Sequence, residues 1–418
     1  MRRTDTVIVG GGQAGLAMSR CLSDQGVDHV VFERGRLVER WRSERWDSLR
    51  LLTPNWQTRL PGYVYEGPDP DGFMTAAEVV SFLERFAATL RAPVYCDTAV
   101  TDVRPRNEGF HVTTTAGEWQ ARSVVIATGD CATPLIPAVA GGLSPELHQL
   151  APAAYRRPEQ LPDGGVLVVG ASSSGIQLAD ELCRAGRAVV LATGHHTRVP
   201  RRYRDRDIMW WFDRAGLMNE GIDDVHNLTI SREQPSLQLV GRPDHSSLDL
   251  AMLQERGVLI TGRLLSADRW TVSFDDDLIA TTVASDAKLA MLLARLDGFA
   301  RHAGLDGEVG PPEPFVPIWP QIAEPPASLD LRAAGIRTVI WAVGYRRRYP
   351  WLRVPVLDAR GEVRHEGGVT PYPGLYVLGL RFLRRRNSTF IDGVGRDAVA
   401  LAAHLGRYLG TAAAAAVA

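Results

Sequence analysis

The chain has almost no lysine. Lys288 is the only one among 418 residues, and every other cation of this kind is arginine. This scarcity excludes a P-loop, which needs a phosphate-binding lysine, and leaves Lys288 as the only lysine able to form a Schiff base. Cysteine is also scarce. Cys21, Cys96, Cys131 and Cys183 are far apart and form no C-x-x-C pair. That excludes the usual dithiol motif and fits inert thiols in a reduced, cytoplasmic setting. No apolar run approaches the ~20 residues of a membrane helix. The formal net charge is -1, which argues against a general polyanion binder. No group has metal-ligand spacing: His245 reads as a loop histidine and Asp275-Asp276-Asp277 as a turn, so no metal is expected. Met1-Arg2-Arg3 before an apolar stretch imitates a signal peptide, but the glycines just behind it account for that stretch better. The tail from Thr411 to Ala418 is mostly alanine and is expected to fray.

What is present is a dinucleotide fingerprint, twice. The first runs from Thr6 to Val9 as a strand, then Gly10-Gly11-Gly12-Gln13-Ala14-Gly15, then a helical pattern. Gly10 permits the tight turn, Gly12 lets backbone approach a pyrophosphate, and Gly15 lets helix and strand pack closely. The helix N-terminus offers free N–H groups and a positive dipole end to phosphate. A second strand, Val30 to Phe32, ends at Glu33, where a carboxylate can accept ribose hydroxyls. The second fingerprint runs from Gly165 to Val169, then Gly170-Ala171-Ser172-Ser173-Ser174-Gly175. Ser172 stands where the middle glycine would be, and its hydroxyl can bond phosphate. The next strand, Ala188 to Ala192, ends at Thr193 without a carboxylate, and Arg198, Arg201 and Arg202 follow. An acid there repels a 2′-phosphate whereas arginine forks bind one, so this site reads as NADPH. The alternative is that these arginines form a solvated loop.

Two dinucleotide sites imply hydride transfer from a nicotinamide to a flavin. FAD falls to the N-terminal site with its ribose acid. Val124 to Ile126 followed by Ala127-Thr128-Gly129 has a near copy in Val339 to Val343 followed by Gly344-Tyr345. Such strand ends mark crossings between two dinucleotide-binding domains.

On these motifs the chain resembles the two-domain FAD/NADPH monooxygenases, which include the flavin-containing monooxygenases, the auxin-forming plant enzymes and a bacterial branch. Trp46-Asp47-Ser48-Leu49-Arg50-Leu51-Leu52-Thr53-Pro54, Arg201-Arg202-Tyr203 and Ser388-Thr389-Phe390-Ile391-Asp392-Gly393 carry the resemblance further, over nearly the whole chain. It implies an α/β fold in which a Rossmann-like FAD domain is interrupted by a Rossmann-like NADPH domain. It also implies that NADPH reduces FAD, that oxygen adds at C4a, and that the resulting (hydro)peroxyflavin passes one oxygen atom to nitrogen or sulfur. The resemblance sets Trp41, Trp46 and Leu51 against the flavin ring and gives Thr53 a hydroxyl role. Asn55 becomes the amide near the reacting oxygen, or else it only makes an Asx turn after Pro54. Arg34, Val100, Gly344, Gly379, Phe390 and Ile391 are placed at the cofactors. Either backbone N–H groups, or Asp392 and Arg396 nearby, take the role of the aspartate that often follows the glycine at 379, where this chain has Leu380. A helix from Asp397 to Leu409 would then aim its N-terminus at the flavin carbonyls. One departure concerns the fingerprint histidine, whose position falls on Ala151 ahead of Tyr155, while His148 reads as an unrelated surface residue. This weakens Baeyer–Villiger chemistry most.

The expected order is residues 1–160 for the first part of the FAD domain, 161–337 for the NADPH domain, and 338–418 for the return. An insertion at about 201–326 either caps a substrate pocket or packs Met209, Phe212 and Leu217 as a core helix. The partners are a small organic substrate and oxygen, with no nucleic acid and no membrane span; homo-oligomerisation is left open. Two rivals remain at this point. One is a reductase or oxidase delivering electrons to a quinone or to oxygen. The other is a nucleotide-binding redox sensor, for which the sequence offers no docking segment.

Overall fold

A computed structural model describes residues 1–410; the alanine-rich tail expected to fray lies outside the described residues. The chain opens with strand β1 (Arg2–Val9), helix α1 (Gln13–Asp24) and strand β2 (His29–Phe32). Helix α2 (Ala76–Ala88) and strands β3 (Val94–Tyr95), β4 (Val100–Arg106), β5 (Gly109–Thr114) and β6 (Gly117–Ile126) follow. These strands form one sheet in the order β3-β2-β1-β6-β5-β4. Its central members are parallel, and their paired ends at residues 7–9 and 124–126 are continuously apolar because both faces are covered there.

A short strand β7 (Thr133–Pro134) leads out of this sheet. Strand β8 (His148–Leu150), strand β9 (Gly165–Val169), helix α3 (Ser173–Arg184) and strand β10 (Val189–Ala192) begin a second parallel sheet. Helix α4 (Ile208–Arg214), strand β11 (Leu259–Thr261), the long helix α5 (Leu278–His302) and strand β12 (Ile336–Trp341) continue the unit. Its sheet order is β8-β12-β9-β10-β11. Strand β13 (Tyr345–Arg346) leads back, strand β14 (Leu375–Val377) joins the first sheet beside β6, and helix α6 (Ile391–Leu409) closes the chain against α1.

The two halves repeat one local solution. Gly10 has φ +115° and Gly170 φ +103°, values that disfavour any residue with a Cβ. A Cβ at Gly10 would lie 2.5 Å from the Ala127 carbonyl oxygen, and one at Gly170 would lie 2.5 Å from that of Ala342. A Cβ at Gly15 or Gly175 would come within 1.9 or 1.7 Å of the Gly10 or Gly170 oxygen. Each third glycine therefore sets how closely its helix approaches its strand.

Three expectations need correction. The second unit begins before residue 161, because His148, Gln149 and Leu150 of β8 pair with Thr338, Val339 and Ile340 of β12 in the second sheet. The anticipated return at residue 338 falls inside β12, whose Thr338, Val339 and Ile340 pair with Val166, Leu167 and Val168 of the second sheet. The chain comes back to the first sheet only after Trp341. The C-terminal helix begins at Ile391, not Asp397. Gly393 and Gly395 weaken its first turns as a sequence signal, but burial of Ile391 and Val394 secures them.

Candidate functional site

Both glycine turns open on one cleft of about 1730 Å³ between the sheets. A single small-ligand pocket is typically ~300–1,000 Å³, so this space suits more than one ligand. Gly10, Gly12, Gln13, Ala14, Glu33 and Arg34 line it from the first half, and Gly170, Ser172, Ser173, Ser174 and Thr193 from the second. The crossing segments contribute Ala127, Thr128, Gly129 and Gly344; the return contributes Gly379, Phe390 and Ile391. Trp41, Trp46, Leu51, Thr53 and Val100 complete the lining expected from sequence. Gly15 and Gly175 act behind the surface, through packing.

The groups fit two dinucleotides. The helices α1 and α3 open on the cleft without any side-chain cap, so their first-turn N–H groups face it unpaired; α6 also lacks a side-chain cap, but its Gly393 N–H is taken by the Phe390 carbonyl at 3.2 Å. Thr75, Asp207 and Asp249, by contrast, cap the helices that follow them. No protein atom lies within 4 Å of a Cβ built at Gly12, which leaves room for a pyrophosphate. The Gly11 N–H donates to Glu33 Oε2 at 2.7 Å and the Gly35 N–H to Oε1 at 3.2 Å, fixing this carboxylate at the cleft edge. Trp41 Nε1 donates to Gln13 Oε1 at 3.3 Å, which ties the 41–53 segment to the first turn. Ser48 Oγ donates to Glu181 Oε2 at 2.7 Å, which ties the same segment to α3. Burial pushes the Glu181 carboxyl above its usual range.

Of the three catalytic candidates, only Thr53 faces the cleft. Asn55 is buried and fully engaged: its Nδ2 donates to the Asp69 carbonyl at 2.9 Å and its Oδ1 accepts from the Met74 N–H at 2.8 Å. It braces the 69–74 loop and is not an amide at the reacting oxygen. Asp392 is held by Arg59 at 2.6 Å and does not line the cleft. Arg396 bonds Asn219.

The arginine cluster also needs correction. Arg201 is fully buried, paired with Asp207, bonded to the Leu52 carbonyl at 2.8 Å and stacked 4.9 Å from the Phe73 ring centre. Arg198 pairs with Asp249 and Asp286, and Arg202 bonds the Asp205 carbonyl. None of the three lines the cleft. The arginine at Thr193 is instead Arg263, two residues past β11; a Cβ at Gly194 would lie 3.6 Å from its Nε. His195 and Thr197 line the same end. Sequence reasoning missed Arg263 because it follows a different strand, far along the chain, with only a short apolar run ending in Gly262-Arg263 to mark it.

The insertion packs as a core helix and also reaches the cleft. Met209, Phe212, Leu217 and Met218 are buried against Leu289, Leu293 and Leu296 of α5, and they also line the cleft. Leu52 and Phe390 pack on the same cluster. His148 is exposed on β8, and Tyr155 is buried in the second core. Cys131 is the one cysteine lining the cleft among the described residues, and burial pushes its thiol up.

Residues 7–209 match the family model described as pyridine nucleotide-disulphide oxidoreductase. The chain is 33% identical over 397 residues to a CzcO-like oxidoreductase of Geobacillus kaustophilus (strain HTA426), covering 94% of this chain and 96% of that protein. It is 33% identical over 190 residues to the indole-3-pyruvate monooxygenase YUCCA1 of Oryza sativa subsp. japonica, covering 43% of this chain and 45% of the plant protein. The fold is similar to a flavin-containing monooxygenase from Stenotrophomonas maltophilia, with a TM-score of 0.68, 20% identity and coverage of 98% and 99% of the two chains.

Proposed function

The chain belongs to the bacterial, flavin-monooxygenase-like CzcO family, and from that premise we propose that it oxygenates a small organic substrate at nitrogen or sulfur. It is a flavin-dependent oxidoreductase of monooxygenase type, using FAD and NADPH. Bound FAD, reduced by NADPH, supplies the activation of oxygen. The chain's own residues bind, orient and exclude. The free N–H groups after Gly12 and Ser172 would hold the pyrophosphates, Glu33 would accept ribose hydroxyls, and Arg263 would meet the 2′-phosphate. Thr53 offers a hydroxyl with no partner among the described residues. The wall of Met209, Phe212 and Leu217 keeps water from the reacting end.

One observation carries this reading: the cleft shared by the two glycine turns has an apolar wall and, among the described residues, a single thiol, Cys131. That leaves no dithiol to receive electrons, and leaves space for an organic acceptor. The test uses purified holoenzyme, NADPH, oxygen-18 gas and a panel of amines and sulfides. One labelled oxygen at nitrogen or sulfur is expected. Complete conversion of NADPH oxidation into hydrogen peroxide, with no labelled product in the panel, overturns the reading and supports an oxidase.

A further inference from the structure

The apolar wall carries one charge that nothing neutralises. Arg295 on α5 lines the cleft one helical turn from Leu292, which is part of the wall. It is exposed and has no hydrogen-bond or ion-pair partner among the described residues. Its helix offers none: the positions three and four residues away are Met291, Leu292, Gly298 and Phe299. The nearby Asp297 is engaged by the Tyr203 hydroxyl at 2.8 Å and by Arg204 at 3.0 Å.

Most other cleft arginines are occupied. Arg386 pairs with Glu220, so these two charges cancel beside the same wall. Arg50 donates to the Phe73 carbonyl at 2.8 Å, and Arg381 to that of Gln234. Arg45 stacks over Trp41 at 5.2 Å, and Arg263 stands 3.8 Å from Asp277. Arg348 is likewise without a partner, but it lines the cleft with Tyr345 and Trp351, and Trp351 packs on the first core rather than on this wall.

A guanidinium at the edge of an apolar surface is a fork for a planar anion, and the low-dielectric wall focuses its field. We propose that the oxygen-accepting substrate is an amphipathic carboxylic acid. Its apolar body lies on Met209, Phe212 and Leu217, and its carboxylate is received by Arg295. This rests on the oxygenase reading above and adds the substrate's charge to it.

The test separates the two. Equilibrium dialysis of holoenzyme with (phenylthio)acetate and with its methyl ester, without NADPH, measures binding whether or not oxygen transfer occurs. The acid is expected to bind at least about tenfold tighter than the ester. Arg295→Glu should abolish that preference and Arg295→Lys should keep part of it. Arg301→Glu, the same charge change about one and two-thirds turns along the helix, should leave the preference intact. Equal binding of acid and ester, no retention of the acid, or wild-type affinity for the acid in Arg295→Glu would each overturn the proposal. Failure of oxygen transfer with the acid preference intact would overturn only the oxygenase reading.

Discussion

Arg201 and Arg263 carry the same group near the same sheet, and burial separates what they do. Arg201 loses all exposure and pairs its charge with Asp207, which also caps α4 by accepting from the Met209 N–H at 2.7 Å. Arg201→Ala should cost about 3 kcal/mol in urea unfolding, because the half-buried Asp207 carboxylate loses its partner and the Leu52 carbonyl its donor. Lysine should not restore it, since one fork serves both Asp207 and the Leu52 carbonyl. Arg263→Glu should instead leave stability nearly unchanged and raise KM for NADPH about tenfold or more, with little change for NADH. Equal effects on both nucleotides would remove Arg263 from the 2′-phosphate. The sequence offered the opposite assignment, because proximity to the end of β10 was legible and burial of a charge was not. Asp207, six positions after Arg201, was the available sign of an internal partner.

His365 sets a pH limit. Burial, then Arg232 and Arg347, push its pKa down from 6.5 to about 4. Its Nδ1 accepts from the Gly368 N–H at 3.3 Å, so the folded ring is neutral. The unfolded chain takes up the proton near pH 6.5 and the folded chain does not until about pH 4. Stability from this residue is therefore full above pH 6.5 and is lost as pH falls toward 4, by about 3 kcal/mol at most. Urea midpoints at pH 7 and 4.5 should differ less in His365→Asn, whose amide oxygen can still accept from Gly368. An unchanged difference would place the acid sensitivity elsewhere.

At the scale of elements, the glycine turns were fully legible, because spacing alone states the constraint. Gly175 has no space for a methyl group, its would-be Cβ lying 1.7 Å from the Gly170 oxygen. Gly175→Ala should push α3 off β9 and destabilise the protein by roughly 1–3 kcal/mol or more, with weaker NADPH binding than the stability loss alone explains. Melting temperature and NADPH titration together check this. The start of α6 was less legible. Glycines 393 and 395 hide the first turns, and what fixes them is contact: a Cβ at Gly393 would lie 2.0 Å from the Asn387 oxygen. The assignment of β12 was illegible for another reason. Its sequence copies the end of β6, and only the register with Val166 to Val168 tells which sheet owns it. Asn55 misled because an asparagine after a tryptophan-rich segment looks the same whether its amide faces a ligand or two backbone groups.

At the scale of the whole molecule, the cleft exists because two similar sheets face each other across segment 41–53. Trp46 is buried in the second core while Trp41 and Leu51 pack on the first. The segment is stitched at Trp41 by Gln13 and at Ser48 by Glu181. Ser48→Ala should therefore reduce the rate of flavin reduction by NADPH more than it changes stability, since it loosens one sheet's hold on this segment. Anaerobic rapid mixing reads that rate, and an unchanged rate would show that the Glu181 contact is dispensable.

The two crossings themselves form an antiparallel pair, β7 with β13, in which Tyr345 faces Pro134 and Arg346 faces Thr133. The Leu135 N–H donates to the Gly344 carbonyl at 2.9 Å. Everything between these residues thus leaves and re-enters through a single doorway whose posts are one hydrogen bond apart. A segment with its ends so close can be lifted out as a cassette: residues 135–344 closed by a few glycines, and the flanking pieces joined across the same gap. Grafting the cassette of a relative at Leu135 and Gly344 should exchange nucleotide preference and substrate wall together, with both seams on one ribbon.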